Sequence, residues 1–351
     1  RCDYKKETNS MINSIKNSTV DDVKSLEENK SIALIFLNRK FLLLLLFIII
    51  YAFFAVFAHN FNSFQNIESI MIFSVEIGLL ALGETLVITS GSGGIDLSVG
   101  SMLGLSAIVI GELIGKFGLN IWLAIIIGLL VGTGAGLFNG LMIVYAKIPP
   151  LLTTLATMYL YSSLALLVSM DRYGNAMPIS NFPSIYSVFG QSSILGIPLQ
   201  FILFFIPITI ILYLLVQKTI FGKHLLSTGT DEIVSKLSGI DVNNIRLWVY
   251  TISGLLAAIA ALIETSRIAS ARPDLGSNMN LEAITISVLG GTYIFGGTAD
   301  IIAVFIASIL VTMLDNGLFL MGVNTIWQTG ALGFLLIGAL VLDLIIRKRS
   351  L

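Results

Sequence analysis

A chain of 351 residues that is 56% hydrophobic and only 12% charged is not built like a soluble domain, which carries about a quarter charged residues. The composition reads as a polytopic membrane protein. A net charge of -1 excludes a general affinity for nucleic acid, so any electrostatic message lies in where the charges fall. The single cysteine, Cys2, excludes an internal disulfide.

Residues 1–40 are rich in Ser, Asn, Lys and Glu, with a weak helical pattern over 20–26, and read as a mobile cytoplasmic N-terminal tail. The run "RKFLLLLLFIIIYAFFAVFAHN" follows this polar stretch and precedes many more apolar runs, so it is the first span and not a secretory signal. A helix needs about twenty apolar residues to cross the hydrocarbon. On that template the membrane portion, 41–346, holds about ten spans: 41–58, 67–88, 100–115, 121–145, 150–168, 199–216, 247–269, 281–291, 301–320 and 325–346. The eighth is too short to cross alone. Residues 217–246 form the longest basic loop, and 347–351 are a basic C-terminal end.

Lys and Arg stay on the cytoplasmic side. With the N-terminus inside, sixteen of the twenty basic residues fall there, leaving only Lys116, Arg172, Arg267 and Arg272 outside. The expectation is an all-α polytopic membrane protein with discontinuous segments and both termini cytoplasmic.

Between the second and third spans lies "TSGSGGIDLSVGS", residues 89–101. A glycine-rich break at membrane depth survives only where protein or a water-filled cavity surrounds it. Two readings stay open: a turn in which Asp96 or Ser98 caps the third span, or a discontinuous segment lining a solute path. Gly93 and Gly94 supply backbone freedom, with positive φ expected at Gly94. A second break, "VLGGTYIFGGTAD" over 288–300, is a weak internal echo of the first. In the fourth span Gly128, Gly132 and Gly136 recur every four residues, a spacing that lets another helix backbone approach closely.

In the basic loop, "STGTDEIVSKLSGIDVN" reads as a short helix. Thr230 is its N-cap, Asp231 and Glu232 lie in the first turn, Lys236 in the last, and Gly239 stops it. Ile233 and Leu237 stand four apart on one exposed face, suited to a groove on a partner.

Ionisable residues inside spans are expensive and point to function. Glu76 and Glu84 lie eight apart on one face of the second span, with no basic residue recurring there. They read as structural or path-lining groups, bonded to partners such as Thr85 or a facing Ser, and not as proton carriers. Glu264 and Arg267 form an intrahelical pair. Glu112, Asp315 and Asp343 lie near span ends and can snorkel. Asn139, Asn316, Trp327 and Gln328 offer the hydrogen bonding that a transient sugar path needs, and each is equally explicable as glue between helices. His59 and His224 flank different spans and read as loop residues, so no metal site is expected.

Four stretches, "GETLVITSGSGGIDLSVGS", "LSTGTDEIVSKLSGIDVNNIRLWVYTISGLLAAIAALIE", "ISVLGGTYIFGGTADI" and "DNGLFLMGV", together resemble the membrane-spanning permease subunits of bacterial ABC importers for monosaccharides, the ribose, xylose, arabinose and galactose branch. The resemblance runs over 67–343. It departs from the usual wording in the added Ser-Gly ahead of Gly93-Gly94 and in "MDRYGNAMP" at 170–178. Both departures bear on the solute and not on the class.

The resemblance implies an importer of two permeases, homodimeric or paired with a homologue, with cytoplasmic ATPases and an extracellular or periplasmic solute-binding protein. It implies no cofactor and a place in the inner membrane. It assigns the 230–239 helix to coupling with the ATPase, and places Gly93, Gly94, Asp96 and Ser98 beside the solute path. The chain has no phosphate loop: "GELIGKF" at 111–117 has the wrong spacing and no Ser or Thr after Lys116. Nucleosides, purine bases and a furanosyl signalling molecule are the related solutes, and a stand-alone proton-coupled carrier is the reading from another class.

Overall fold

An apolar run in lipid has no partner for its backbone N–H and C=O groups except itself, so such runs become helices. The computed structural model describes residues 39–350 except Arg172 and Asn181, with side chains over 40–341. The expected helix near 20–26 and residues 1–38 of the expected tail lie outside the described residues, while Arg39 and Lys40 begin the first helix. The chain divides into two units, Arg1–Ile48 and Ile49–Leu351.

The helices are α1 (Arg39–Phe57), α2 (Phe64–Thr89), α3 (Val99–Gly111, extended by a π-helical turn Glu112–Lys116), α4 (Ile121–Val144), α5 (Pro150–Ser169) and α6 (Ser184–Gln191). They continue as α7 (Ile206–Lys218, preceded by a π-helical turn Phe201–Phe205), α8 (Ile220–Thr230), α9 (Glu232–Leu237), α10 (Val242–Ile268), α11 (Met279–Leu289), α12 (Ile301–Leu320) and α13 (Thr325–Ser350). A two-residue antiparallel pair, Ser193–Ile194 with Ile197–Pro198, is the only sheet among the described residues.

Eight helices among the described residues are long and apolar enough to cross a membrane. Of the remaining two expected spans, one is the shorter apolar helix Met279–Leu289, and the other falls within α13, which is apolar over Thr325–Val341 where its side chains are described. At a rise of about 1.5 Å per residue, α11 with its 11 residues reaches only about half of a ~30 Å hydrocarbon core. It is a half-span, as its length in the sequence requires.

Three helices form the packed centre of the larger unit. Most residues of α2, α3 and α10 are buried, whereas α4, α5 and α7 keep most of their surface outward. The small residues of α4 explain how it joins this centre. A Cβ placed on Gly132 would stand 2.8 Å from the Gly254 carbonyl oxygen of α10, and one on Gly136 would run into the Tyr250 carbonyl oxygen. The two backbones are thus in contact along the predicted stripe, where dispersion replaces the hydrophobic drive that lipid does not supply.

Between α5 and α7 the chain makes an excursion at the Ile268 end of α10. Tyr186 of α6 is buried, its hydroxyl 2.6 Å from Thr265 Oγ1, and Ser266 donates to the Tyr186 carbonyl oxygen at 2.6 Å. Phe182 stacks on Tyr186, and an apolar cluster of Ile110, Ile114, Ile125 and Leu262 fills in behind the ring.

Candidate solute pathway and docking site

The first break, between α2 and α3, is held by a buried polar network. The Asp96 N–H donates to Glu84 Oε1 at 3.1 Å, and Asp96 Oδ1 accepts from the Ser98 N–H and hydroxyl at 2.9 and 2.6 Å. Asn139 Nδ2 donates to Ser98 Oγ at 2.8 Å, and the Tyr161 hydroxyl is 3.0 Å from Asn139 Oδ1. The Thr154 hydroxyl donates to the Ile95 carbonyl oxygen at 3.0 Å. Irregular backbone is thereby satisfied by side chains of α2 and α5, which is what a dry surrounding demands, while Asn139 of α4 holds the Ser98 side chain.

Neither proposed cap of α3 operates. Ser98 stands at the N-cap position without a side-chain bond to the helix, because its hydroxyl is spent on Asp96 and Asn139. The positive φ angles fall on Gly91, Ser92 and Gly93, not on Gly94. What constrains Gly94 is proximity: a Cβ there would lie 2.6 Å from the Val87 carbonyl oxygen.

The two breaks that echo each other in sequence meet in space. The Gly297 N–H donates to the Thr89 carbonyl oxygen at 3.0 Å, and a Cβ on Gly296 would lie 2.5 Å from Gly91 Cα. Gly229, near the end of α8, packs against Thr89 and Gly297. Three chain segments therefore cross here on bare backbone. In the second break Asp300 does cap the following helix, accepting from the Ala303 N–H at 3.2 Å.

Beside this junction stands the short helix expected in the basic loop, with its cap moved by one residue. Asp231, not Thr230, is the N-cap, accepting from the Ile233 and Val234 N–H groups at 2.9 and 3.0 Å. Thr230 ends α8, where its hydroxyl donates to the Leu226 carbonyl oxygen at 2.8 Å. Gly239 stops α9 with a φ of 83°, and Ile233 and Leu237 are 71% and 84% exposed.

Glu232 of α9 binds Lys236 at 2.5 Å and Arg246 of α10 at 2.6 Å, and Ser92 of the first break donates to it at 2.5 Å. Arg246 also donates to Ser92. The bond from Arg246 is the largest influence on the Glu232 carboxyl. With Lys236 and Ser92, and against the opposing effect of burial, it holds the group down to about 2. Lys147 lines the same pocket as Ser92, Glu232, Lys236 and Arg246.

At the opposite ends of the helices lies a second cavity, of about 580 Å³, between α2, α10, α11, α12 and α13. Its wall includes Glu76 and Arg267, which pair through two bonds of 2.7 and 3.0 Å. This replaces the intrahelical pair expected between Glu264 and Arg267, and also the Thr or Ser partner expected for Glu76. Thr85 instead donates to the Ala81 carbonyl oxygen of its own helix. Arg267 further lies over the Phe73 ring, 4.6 Å from its centre.

The sequence-derived path residues therefore separate. Gly93, Gly94, Asp96, Ser98 and Asn139 belong to the first break and its network. Asn316 and Gln328 line the cavity. Trp327, on the neighbouring turn, is 73% exposed and does not belong to that lining. Glu282 and the pairing of Glu76 with Arg267 were not singled out as path groups from sequence. An available signal was that a carboxylate in mid-span needs a cation, and Arg267 is among the few basic residues at a span end.

Residues 66–340 match the family described as "Branched-chain amino acid transport system / permease component". The chain is 38% identical over 262 residues to the Autoinducer 2 import system permease protein LsrD of Enterobacter, which covers 74% of this chain and 79% of that one. It is 40% identical over 266 residues to LsrD of Salmonella typhimurium, covering 76% and 79%. With the Ribose import permease protein RbsC of Bacillus subtilis it shares 38% over 275 residues, covering 78% and 82%. No solved structure matches the chain. Because the family match runs from the start of α2 into α13, across both breaks, α9 and the cavity, the chain belongs to this family of transport-system permease components.

Proposed function

We propose that this chain is the permease subunit of an ATP-driven importer that carries a monosaccharide or a closely related sugar-like solute across the cytoplasmic membrane. Its relatives are named for ribose and autoinducer 2 import. The ATPase is a partner that docks on α9, a solute-binding protein meets the opposite face, and a second permease, identical or homologous, completes the pathway.

The end bearing Lys147, Lys236 and Arg246 is cytoplasmic. That is the side to which the sequence reading assigns sixteen of the twenty basic residues under the positive-inside rule, and on this proposal both termini belong there too. The cavity then belongs to the outer half, and the glycine junction closes the inner one.

The observation that carries the reading is the position of α9. Its apolar residues Ile233 and Leu237 are exposed, while Glu232 on the same short helix is bonded to Ser92 of the first break. A partner that moves α9 moves a backbone segment at the inner end of the pathway. A stand-alone proton-coupled carrier is less well supported, since Glu76 is engaged by Arg267 and Glu84 by the Asp96 N–H, with no hydrogen-bonded chain joining them among the described residues.

The test is transport in proteoliposomes containing the permease, its ATPase and its receptor. Ile233→Asp and Leu237→Asp should abolish solute-stimulated ATP hydrolysis while the permease remains folded in the membrane. Undiminished stimulation in both variants would remove α9 as the docking element, and uptake driven by a proton gradient without the ATPase would overturn the importer reading.

A further inference from the structure

The second cavity has a chemistry of its own. Its volume of about 580 Å³ falls within the ~300–1,000 Å³ of small-molecule sites. Phe73, Ile77, Phe319 and Leu320 give it apolar walls. Its charged groups are three carboxylates, Glu76, Glu282 and Asp315, and one guanidinium. Arg267 is the only basic residue of the lining among the described residues, and both of its bonds to Glu76 are made within the wall. Glu282 of α11 and Asp315 of α12 complete the charged set, and neither has an ion-pair partner among the described residues. Asp315 Oδ1 and the Asn316 side-chain oxygen are buried without a hydrogen-bond donor. The Gln328 amide donates to the Val323 carbonyl oxygen and so keeps its own oxygen free.

Buried acceptors without donors are costly unless something supplies the donors. A solute rich in hydroxyl groups does so, while Phe73 and Phe319 offer faces to its C–H surface. An anion does not: it meets two uncompensated carboxylates and a guanidinium already engaged. The carboxylate of a free amino acid fails for the same reason.

Resting on the permease reading, we propose that this cavity is a transit site for a neutral, polyhydroxylated solute of monosaccharide size, and that Glu282 and Asp315 make it a charge filter that turns away anions such as phosphorylated sugars.

The chain's single native thiol makes a direct test practical. In a Cys2→Ser background, Ser69→Cys and, independently, Thr312→Cys each place one small thiol on the cavity wall. The full-length protein in lipid vesicles is then treated with a cationic and an anionic methanethiosulfonate of similar size. Clefts lined by one sign of charge concentrate the opposite ion by ~10-fold or more. Relative to a free thiol, the cationic reagent should therefore be favoured by about that factor at both positions. Adding Glu282→Gln and Asp315→Asn should return the ratio to the free-thiol value, and D-ribose at millimolar concentration should slow modification.

No modification by either reagent at both positions would mean that the cavity is closed to water. A ratio equal to that of a free thiol, or one unmoved by neutralisation, would remove the charge filter. Either result overturns the proposal. ATP-dependent uptake by the otherwise unmodified protein is measured separately, so a failed filter is distinguished from a failed importer reading.

Discussion

Removing Arg267 is the sharpest perturbation of the larger unit that the geometry suggests. Glu76 is 1% exposed and Arg267 19% exposed, with two bonds of 2.7 and 3.0 Å between them. Arg267→Met retains most of the aliphatic bulk and leaves Glu76 without its cation. Breaking a buried pair from one side costs about 3–5 kcal/mol, because a charge stays buried without compensation. At 1.4 kcal/mol per factor of ten, the folded-to-unfolded ratio falls roughly 100- to 4,000-fold. Glu76→Leu combined with Arg267→Met removes both charges and should recover most of the loss, so the two substitutions must be strongly non-additive. The assay is equilibrium unfolding in lipid bicelles for the wild type, both single variants and the double variant. Water entering the neighbouring cavity competes with this account by solvating Glu76. If Arg267→Met loses less than ~1 kcal/mol and the cycle is additive, the pair behaves like one on a surface and the reasoning fails.

Two further outcomes concern the α4 packing and the α9 loop. Gly136→Val forces a branched side chain into the Tyr250 carbonyl of α10; it should destabilise the fold by about 1–3 kcal/mol in the same assay, whereas Gly134→Val, with nothing near its Cβ, should cost much less, and equal losses would refute the α4 to α10 contact. The Glu232 carboxyl is held down to about 2 from 4.5, chiefly by Arg246, so its stabilising contribution is fully present above 4.5 and is lost as pH falls through about 2. In nanodiscs the ¹³Cδ resonance of Glu232 should therefore still report a carboxylate at pH 4 and should titrate closer to 4.5 in Arg246→Gln; a wild-type midpoint near 4.5 would count against the cluster.

The spans were legible because lipid leaves an apolar run few alternatives to a helix. Even the shortness of α11 was readable from Gly290 and Gly291, which end its apolar run. The helix stop at Gly239 was readable for the same local reason: its positive φ suits a residue without a Cβ. The α9 cap was ambiguous, since Thr230 and Asp231 are both able caps. The choice fell to Asp231 because α8 runs on through Thr230, and α8 was not foreseen. Nor was α6, whose eight residues are held by Thr265 and Ser266 of a distant helix. Ion pairing failed in the same way. A reader of sequence sees Glu264 three residues from Arg267, whereas the fold brings Glu76 to Arg267 across 191 positions. Asn139 and Asn316 look alike as polar residues in apolar runs, and only the packing sends the first to the break and the second to the cavity.

The glycine-rich break also explains an oddity within it. Gly91, Ser92 and Gly93 take φ angles of 76°, 53° and 71° in succession, a left-handed run that costs a side-chain-bearing residue about 1–2 kcal/mol. A third glycine would remove that cost, yet a serine stands in the middle. Its hydroxyl accepts from Arg246 and donates to Glu232, so the strained residue is the one that joins the break to α9. The flanking glycines let the chain turn tightly enough to present it. On one side Gly91 packs against Gly229 and Gly296 without a Cβ on any of the three; on the other, Gly94 passes close to α2 and leads to Asp96, whose N–H is fixed by Glu84. The polar, glycine-rich stretch that interrupts so apolar a chain is therefore anchored firmly at Asp96 and attached at Ser92 through side chains alone. On the function proposed above, that arrangement lets a partner docked on α9 pull on the break without unpacking α2.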